Sequence, residues 1–382
     1  MVAVSHWKGS NSYRIRASVP SGQVGQAVTT SHDIKDLGSM DDPLKIGIVG
    51  LGKMGGIRAQ TIRAHKDTVL ISGADPNVPV SGFDDLEILP DYEAVINSGV
   101  DAVFVCTPNR FIPDIVEAAL DSGKHVFCEK PPGRNVSDIE RIIAAEDRNP
   151  GLALKVGFNH RYHYGIMEAK KIVDGGTYGK VLWIRGVYGK AEGSGNPNDW
   201  REEPELVGGG ILLDQGIHML DLFRYFGGEF TEVKSMCTTA YWNPPLEDNV
   251  FALLRAESGL IAMLHSSFTQ WKHRFCIEVF MEDGYVIVDG MPSSTRSYRD
   301  EWIRHARKHT GYAIGNPHEE STFCNTDPSW RLELDEFVSC IRGGHPIKNG
   351  TSQDAYRVMQ LVFDIYDADD SFARSASSET AK

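Results

Sequence analysis

The sequence has no closely spaced cysteine pair, no apolar run long enough to span a bilayer and no surplus of basic residues. Its six cysteines are scattered without a C-x-x-C pair, which favours buried thiols in a reducing cytosol over disulfides or zinc. The formal net charge of −13 argues against a nucleic acid or an anionic membrane, because those partners require concentrated Lys and Arg. We therefore expect a cytoplasmic protein that binds a small molecule.

The length of the chain predicts two domains, because 382 residues exceed the size at which a single hydrophobic core stops growing. A content of 41% hydrophobic and 24% charged residues is typical of a globular protein. Residues 1–39 are rich in Ser, Gly and Val and lack both a periodic pattern and the apolar core of a signal peptide. We expect a disordered extension there, with Met40 as a candidate start.

From Leu44 onward, short apolar runs alternate with helical patterns. The runs are "LKIGIV", "VLISGAD", "DAVFVC", "HVFCE" and "LALKVGF", and the helices are predicted over 53–65, 92–98, 110–122 and 137–147. Continuous apolar strands that alternate with amphipathic helices are typical of a parallel sheet covered on both faces. The fold class is therefore α/β for residues 44–160, a doubly wound Rossmann domain that binds a dinucleotide.

After about residue 160 the pattern changes. A helix predicted over 162–174 is followed by runs of strand character with few helices between them, namely "KVLWIRGVYG", "VKSMCTTAYW", "NVFALLRAE", "LIAMLHSSFT", "FCIEVFME" and "GYVIVDG". The pattern predicts an α+β domain over 161–370 with a largely antiparallel open sheet, then a tail over 371–382. Val250, Leu253 and Ile261 are predicted to lie on an exposed apolar face, which indicates a homodimer or homotetramer. Residues 330–341 and 351–369 have helical spacing.

A glycine fingerprint directly follows the first predicted strand. It runs from Gly50 through Leu51, Gly52, Lys53 and Met54 to Gly55. In such a motif the first glycine permits a tight turn, the second admits a pyrophosphate and the third lets helix and strand pack closely. Asp75 closes the next predicted strand, where it can accept hydrogen bonds from the ribose hydroxyls. An acid there repels a 2′-phosphate, so NAD is favoured and NADP stays possible.

Two further strand ends carry polar residues, and ligands of such sheets bind outside the carboxyl ends of the strands. One end reads Thr107-Pro108-Asn109 and the other reads Glu129-Lys130. We predict that all five contact the cofactor. The alternative for Glu129 and Lys130 is a surface ion pair beside a turn.

The stretch 208–222, "GGGILLDQGIHMLDL", places three glycines before an apolar helix with a polar stripe. At helical spacing Asp214, His218 and Asp221 share one face. A buried carboxylate and imidazole are costly without partners, so they serve a helix cap, a core hydrogen-bond pair, a metal or a reaction. No third ligand has matching spacing, so we predict no metal. Asp221 is interpreted as a structural hydrogen-bonding residue.

In this order and at these intervals, the fingerprint, "CTPN", "EKP", "GFNHRY" and "GGGILLDQGIHMLDL" resemble the Gfo/Idh/MocA oxidoreductases, relatives of glucose-fructose oxidoreductase and inositol dehydrogenase. The resemblance spans roughly residues 44–370. It implies that Lys130, Asp214 and His218 line the pocket beside the nicotinamide. Many members carry a histidine three residues after the asparagine of "TPN", where this chain has Ile112, so contacts made by that loop are less well defined.

The resemblance implies reversible oxidation of a secondary alcohol on a sugar, sugar nucleotide or cyclitol, with hydride passing to NAD. His218 would accept the hydroxyl proton, and Asp214 would orient the imidazole and the substrate. Lys130 would polarise the developing carbonyl oxygen. Further candidates for substrate binding are Asn159, Arg161, Tyr162, Trp200 and Arg201, whose alternative is an ordinary surface or core role. Two other functions stay open: an NAD-dependent glycosidase that oxidises transiently, and a dinucleotide-binding regulator without turnover.

Overall fold

A computed structural model describes residues 42–77, 81–191, 200–242, 246–293, 296–310 and 314–372. The predicted extension over 1–39 and most of the predicted tail, residues 373–382, lie outside these ranges. The two sheets of the protein belong to a single packed unit.

The N-terminal domain contains a six-stranded sheet in which every strand pair is parallel, in the order β3-β2-β1-β4-β5-β6. Its strands are β1 (Leu44–Val49), β2 (Thr68–Ala74), β3 (Glu87–Ile88), β4 (Ala102–Val105), β5 (His125–Cys128) and β6 (Leu154–Val156). They alternate with helices α1 (Lys53–Ala64), α2 (Tyr92–Asn97), α3 (Ile112–Asp121) and α4 (Val136–Arg148). Each residue of β4 is buried, as a sheet covered on both faces requires. The predicted doubly wound fold is confirmed.

The C-terminal domain contains an eight-stranded mixed sheet in the order β14-β13-β12-β11-β7-β10-β9-β8. Its strands are β7 (Val181–Ala191), β8 (Phe230–Thr238), β9 (Asn249–Ala256), β10 (Ile261–Ser267), β11 (Thr269–Met281), β12 (Gly284–Asp289), β13 (Glu301–Arg307) and β14 (Glu320–Cys324). All neighbouring pairs are antiparallel except β7 and β10, which run parallel. The predicted largely antiparallel sheet is confirmed.

Helices α5 (Tyr164–Asp174), α7 (Ile217–Gly227) and α9 (Ser352–Asp367) pack against this second sheet. The short helix α6 (Pro204–Val207) precedes the three glycines, and α8 (Ser329–Gly343) packs against α1 of the N-terminal domain, with Phe337 beside Phe104 and Phe127. A π-helical turn, Leu212–Gly216, leads directly into α7. Thr351 caps α9 in a reciprocal capping box with Asp354.

The stretch Pro204–Gly227 is long and apolar enough to cross a membrane, contrary to the expectation from the sequence. It is 72% buried inside the protein, however, and its residues Ile217, Leu220 and Phe223 are fully enclosed. This is how the central helix of a folded core is buried, and its apolar character follows from packing against β7, β10 and α9.

The outward face of the second sheet corrects one prediction. Leu253 is 51% exposed, but Val250 is fully buried. Successive side chains of a strand point to opposite faces, so residues three apart on β9 cannot share a face. The exposed apolar residues of this region are Met236, Phe251, Leu253 and Met263. We call these four residues the outward apolar face.

Candidate active site

The glycine turn after β1 has the geometry that a dinucleotide requires. Gly50 adopts φ = 90°, and a Cβ there would lie 2.6 Å from the carbonyl oxygen of Cys106. A Cβ at Gly55 would lie 2.1 Å from the Gly50 carbonyl oxygen, whereas a Cβ at Gly52 would meet nothing within 4 Å. Gly50 and Gly55 are therefore needed for packing, and Gly52 leaves space in front of the turn.

The start of α1 faces the same space. Lys53 and Met54 begin the helix and line the cleft, and no side chain caps the amino end. Free N–H groups at a helix amino end attract an anion such as a pyrophosphate. Leu51, by contrast, is 2% exposed and belongs to the core, so only its backbone is available at the turn.

Asp75 stands at the end of β2 and lines the cleft, where it was predicted. Its Oδ2 accepts a 2.8 Å hydrogen bond from Leu51 N and its Oδ1 accepts a 2.9 Å hydrogen bond from Asn77 N. These bonds fix the carboxylate beside the glycine turn. The glycine turn, the free helix end and this acid together fit NAD.

The end of β4 supplies three more residues of the cleft, Thr107, Pro108 and Asn109. Thr107 Oγ1 is buried and has no hydrogen-bond partner within the described part of the chain, so it is poised for a ligand. Asn109 is 7% exposed and donates a 2.8 Å hydrogen bond to the carbonyl of Val207, just before the three glycines. Ile112 is 1% exposed and begins the packed helix α3, so it does not replace a histidine in the cleft.

Glu129 forms a buried ion pair that sequence reasoning missed. Its carboxylate accepts a 2.6 Å hydrogen bond from Arg58 Nε, and Arg58 Nη1 lies 2.8 Å from Glu333 Oε2. The Arg58 guanidinium also packs against the rings of Phe127 and Trp330, at 4.3 and 4.6 Å. The surface ion pair considered for Glu129 is wrong, because Glu129 is 6% exposed.

Lys130 and Asp214 meet where the two domains face each other, in a cleft of about 1020 Å³. Lys130 Nζ donates a hydrogen bond to the backbone carbonyl of Asp214 and lies 3.6 Å from its Oδ1. A second cation, Lys190 at the end of β7, lies 3.1 Å from Asp214 Oδ2. Sequence reasoning missed Lys190, which sits near the end of a predicted strand without any motif.

These charges tune one another. Burial alone would raise the pKa of Asp214, but the nearby positive charges of Lys190, Lys130 and Arg201 lower it by more. The net pKa therefore falls well below the ordinary value, and the carboxylate stays ionised. Burial lowers the pKa of Lys130, an effect that Asp214 and Glu129 only partly reverse. Lys130 therefore gives up its proton more readily than an exposed lysine.

His218 lies deeper than Asp214 and is not among the residues that line the cleft. It is 5% exposed, and its ring stacks on that of His160 with 3.8 Å between centroids. His160 is held in turn by Tyr188 OH at 3.2 Å and Asn159 Oδ1 at 3.1 Å. His218 Nδ1 is buried and has no hydrogen-bond partner among the residues described.

The environment of His218 keeps its imidazole neutral. Burial is the main cause that lowers its pKa well below 6.5, and the positive charge of Lys130 adds to the effect. A neutral imidazole can accept a proton, although burial disfavours the charged product. Its role as the acid or base stays a prediction.

The structure does not bring Asn159, Arg161 or Tyr162 to the cleft. Asn159 Nδ2 donates a 3.1 Å hydrogen bond to Ser329 Oγ, and Tyr162 OH donates to Glu336. Arg161, which is 5% exposed, makes a two-pronged ion pair with Asp221 at 2.6 and 2.8 Å. Their donors are taken by the interior, so the predicted contacts of Asn159 and Arg161 with substrate are not made in this arrangement.

Asp221 has the structural role that was predicted for it, since its carboxylate is fully buried and paired with Arg161. A second acid, Asp354, lies 3.1 Å from Arg161 Nη1, so the pair also ties α7 to the start of α9. Trp200 and Arg201, the last two predicted residues, do line the cleft. The Arg201 guanidinium lies 4.5 Å from the centre of the Trp200 ring.

The three glycines are explained by close neighbours. A Cβ at Gly208 would lie 2.3 Å from the Arg134 carbonyl oxygen, one at Gly209 would lie 2.6 Å from Tyr366 OH, and one at Gly210 would lie 2.2 Å from the Glu247 carbonyl oxygen. Gly208 also adopts φ = 81°. Packing within the protein thus requires these glycines.

Glu247 fixes the start of the π-helical turn that carries Asp214. Its carboxylate accepts hydrogen bonds from Gly210 N at 2.8 Å, Leu212 N at 3.0 Å and Tyr366 OH at 2.7 Å. Nothing in the sequence marks Glu247, because it lies in a loop 37 residues from Gly210.

Comparison with protein-family models identifies both domains. Residues 44–158 match the oxidoreductase family with an NAD-binding Rossmann fold, and residues 166–287 match the GFO/IDH/MocA C-terminal domain. The chain is 26% identical over 320 residues to a myo-inositol 2-dehydrogenase of Thermotoga maritima, covering 79% of this chain and 90% of that protein. It is 28% identical over 252 residues to a D-glucoside 3-dehydrogenase of Escherichia coli, covering 59% of this chain and 70% of that protein.

Solved structures share the fold. Levoglucosan dehydrogenase in complex with NADH superposes with a TM-score of 0.75 at 20% identity, over 87% of this chain and 98% of that chain. An aldose-aldose oxidoreductase of Caulobacter crescentus complexed with glycerol superposes with a TM-score of 0.73 at 26% identity, over 85% of this chain and 97% of that chain.

Proposed function

The chain belongs to the Gfo/Idh/MocA family of NAD-dependent oxidoreductases, and we propose that it oxidises a secondary alcohol of a sugar, sugar nucleotide or cyclitol. The observation that carries this proposal is the meeting of Lys130, Asp214 and Lys190 in the same cleft as the glycine turn. The relatives whose names mention inositol, glucosides and levoglucosan support the substrate class.

The residues of the cleft divide the work of such an oxidation. Bound NAD supplies the acceptor for the hydride. Lys130, which Asp214 holds in place, donates a hydrogen bond to the reacting oxygen as it becomes a carbonyl. Asp214 stays ionised, so it accepts a hydrogen bond from a neighbouring hydroxyl and orients the sugar ring.

The hydroxyl proton needs an acceptor in the cleft. We assign this role to the neutral imidazole of His218, which must turn from its stacking position on His160 to reach the substrate. The alternative acceptor is Lys130 in its amine form, which the lowered pKa of this buried residue makes accessible. If His218 is the acceptor, His218→Ala lowers the oxidation rate; if Lys130 is the acceptor, His218→Ala leaves that rate nearly unchanged.

The experiment that tests the activity is a substrate screen. The purified protein is incubated with NAD and a panel of polyols, sugars and sugar nucleotides, and NADH absorbance is followed. Formation of NADH with a member of the panel supports the proposal. Release of a chromogenic aglycone without net NADH would instead identify a glycosidase that oxidises only transiently.

The protein as a whole is proposed to be a cytoplasmic homodimer or homotetramer. All six cysteines are free thiols, as expected in a reducing compartment. The outward apolar face lines a groove of about 650 Å³ on the second sheet. Exposed apolar side chains that adjoin one another on a sheet face are typical of a subunit interface.

A further inference from the structure

Three aromatic side chains form an exposed cluster at one end of the second sheet. The ring of Tyr241 lies 4.9 Å from that of Trp242 and 5.0 Å from that of Trp271, and the two tryptophans are 6.2 Å apart. All three pairs meet edge to face, at 67–83°. We call Tyr241, Trp242 and Trp271 the aromatic cluster. Tyr241 is 65% exposed and Trp271 is 61% exposed, which is unusual for side chains of this size.

Hydrogen bonds to a buried carboxylate hold the turn that carries Tyr241 and Trp242. The carboxylate of Asp248, which is 1% exposed, accepts hydrogen bonds from the backbone N–H groups of Ala240, Tyr241 and Trp242 at 2.8–2.9 Å. The Trp242 indole donates a 3.3 Å hydrogen bond to the carbonyl of Phe268. Since these bonds pre-form the turn, a ligand would meet the aromatic cluster without having to order it.

The same loop positions the reacting groups. Asp248 follows directly on Glu247, the residue that fixes the start of the π-helical turn carrying Asp214. One buried acidic pair thus holds the aromatic cluster on one side and Asp214 on the other. The spacing between the two is therefore set by the fold.

The aromatic cluster is also continuous with the cleft. Of the cluster, Trp242 lines the cleft, together with Leu246, Phe268 and Asp214. Tyr241 and Trp271 lie beyond this lining and adjoin it through their ring contacts with Trp242. The Lys190 ammonium group lies 5.0 Å from the centre of the Phe268 ring and 3.1 Å from Asp214 Oδ2. An apolar wall therefore runs from the reacting carboxylate to the exposed rings.

From this continuity, and resting on the proposed sugar oxidation, we propose that the aromatic cluster binds the second sugar ring of a disaccharide or glycoside while the first ring reacts beside Lys130 and Asp214. The C–H face of a pyranose packs on an aromatic ring, and the Tyr241 O–H and Trp271 N–H groups bond its hydroxyls. The substrate is accordingly a glycosidically linked sugar and not a free monosaccharide.

The test compares disaccharides with monosaccharides in the wild-type protein and in Trp271→Ala. Maltose, cellobiose, lactose and trehalose are compared with glucose and galactose, both by calorimetric binding to the NAD-loaded protein and by NADH formation. In the wild type, at least one disaccharide binds more tightly than either monosaccharide. Trp271→Ala lowers that preference by about five- to tenfold and leaves the values for monosaccharides within about twofold.

Two matched variants serve as controls. Trp271→Phe keeps an aromatic face and retains most of the preference. Trp302→Ala removes another exposed tryptophan, 43% exposed on β13 and outside the aromatic cluster, and leaves the preference unchanged.

The inference is overturned if no disaccharide binds better than the monosaccharides, or if Trp271→Ala leaves the preference intact. It is also overturned if Trp271→Ala or Tyr241→Ala lowers the molar mass in light scattering, because the rings would then belong to a subunit contact. Turnover separates the two proposals. NADH from monosaccharides without disaccharide preference refutes only the aromatic subsite, whereas disaccharide binding without any NADH refutes only the oxidation.

Discussion

Asp75 presents its carboxylate to the cleft directly beside the glycine turn. A 2′-phosphate placed there would be repelled by its charge, so NAD should be used faster than NADP at equal concentrations. Asp75→Ala should narrow this preference, because it removes the repulsion and the ribose contact together. Steady-state rates with both cofactors measure the effect. Faster turnover of NADP by the wild type would contradict the role of Asp75.

His218 is the residue whose removal is most informative about the chemistry. If its imidazole accepts the hydroxyl proton, His218→Ala should lower the oxidation rate by about a hundredfold to ten-thousandfold, the usual contribution of a positioned base. The affinity for NAD, measured by fluorescence titration, should change little. His309→Ala is the matched control, because His309 is an exposed histidine that takes no part in these contacts.

Two companion variants separate catalysis from packing. Lys130→Ala should also impair turnover, since it removes the donor to the developing carbonyl oxygen. Asp214→Asn keeps the shape and removes the charge that holds Lys130 and Lys190. If His218→Ala and Asp214→Asn lower only the melting temperature and leave the rate per folded molecule intact, the two residues serve packing alone and the catalytic assignment fails.

The pH dependence of the oxidation follows from the lowered pKa values of His218 and Lys130. Burial holds the pKa of His218 well below its usual 6.5, so the imidazole stays neutral, and able to accept a proton, at pH values where an exposed histidine is already charged. Burial also lowers the pKa of Lys130 from 10.5, so the donor role is lost at lower pH than for a free lysine. The acid flank of the kcat/KM profile, set by His218, should therefore lie below pH 6.5, and the alkaline flank, set by Lys130, should lie below pH 10.5. An acid flank near 6.5 would contradict the neutral buried state of His218.

At the scale of single residues, the sequence predicted identities better than contacts. The positions of Gly50, Asp75 and Lys130 in the cleft follow from local rules, because each stands at a strand end or in a turn. Arg58 could not be predicted as the partner of Glu129, nor Glu333 as the partner of Arg58, which is 275 residues distant. Arg161 was assigned to the substrate for the same reason. Without the neighbours of the residue, the sequence does not distinguish an arginine in a buried ion pair from one that binds a ligand.

At the scale of elements, Glu301 joins the start of β13 to the amino end of α5. Its Oε1 accepts a 2.7 Å hydrogen bond from Gly165 N, while its Oε2 is buried with no partner within the described ranges. Burial raises the pKa of this carboxyl to about 7, an effect that the bond from Gly165 reduces and the nearby Asp327 increases. The acid is therefore neutral in the folded protein at pH values where it is ionised in the unfolded chain.

The sign of the stability effect follows from that difference. The pKa of Glu301 is 4.5 in the unfolded chain and about 7 in the folded protein, so between these pH values the folded state holds more protons than the unfolded state. The free energy of unfolding therefore falls as pH rises, and the loss of stability is complete above about pH 7. Glu301→Gln cannot ionise and should be more stable than the wild type at pH 8, by up to ~3 kcal/mol, with a smaller difference at pH 5. Thermal unfolding at both pH values measures this, with the exposed Glu257→Gln as control. An equal difference at both pH values would show that Glu301 does not titrate in this range.

Elements with a strong period were predicted well, and the exceptions have physical causes. Helices α1 and α9 lie within two residues of their predicted bounds, since the glycine fingerprint marks the start of α1 and apolar spacing marks α9. β13 and β14 were not predicted, because charged and apolar residues alternate only weakly in "EWIRHAR" and "ESTFC". These two strands lie at one edge of the sheet. The π-helical turn before α7 was missed as well, because Glu247, which fixes it, is distant in sequence.

At the scale of the whole molecule, the sequence predicted two sheets of different character, and the family match confirmed the fold. The shape of the cleft could not be predicted. It depends on how the end of β4 meets the segment before the three glycines, through contacts such as that of Asn109 with Val207. Such contacts join residues 98 positions apart and leave no local pattern.

Assembly is the property of the whole molecule that remains to be tested. The four side chains of the outward apolar face are each 40–73% exposed, namely Met236, Phe251, Leu253 and Met263. Exposing four adjoining apolar side chains to water is unfavourable. A second copy of the chain would bury them, so light scattering at micromolar concentration should give the mass of a dimer or tetramer. Leu253→Asp places a charge in that contact and should shift the mass toward the monomer. Ile88→Asp, which alters a residue 37% exposed on β3 of the other sheet, should leave the mass unchanged. A wild-type protein that is already monomeric at this concentration would show that the outward apolar face has no partner copy.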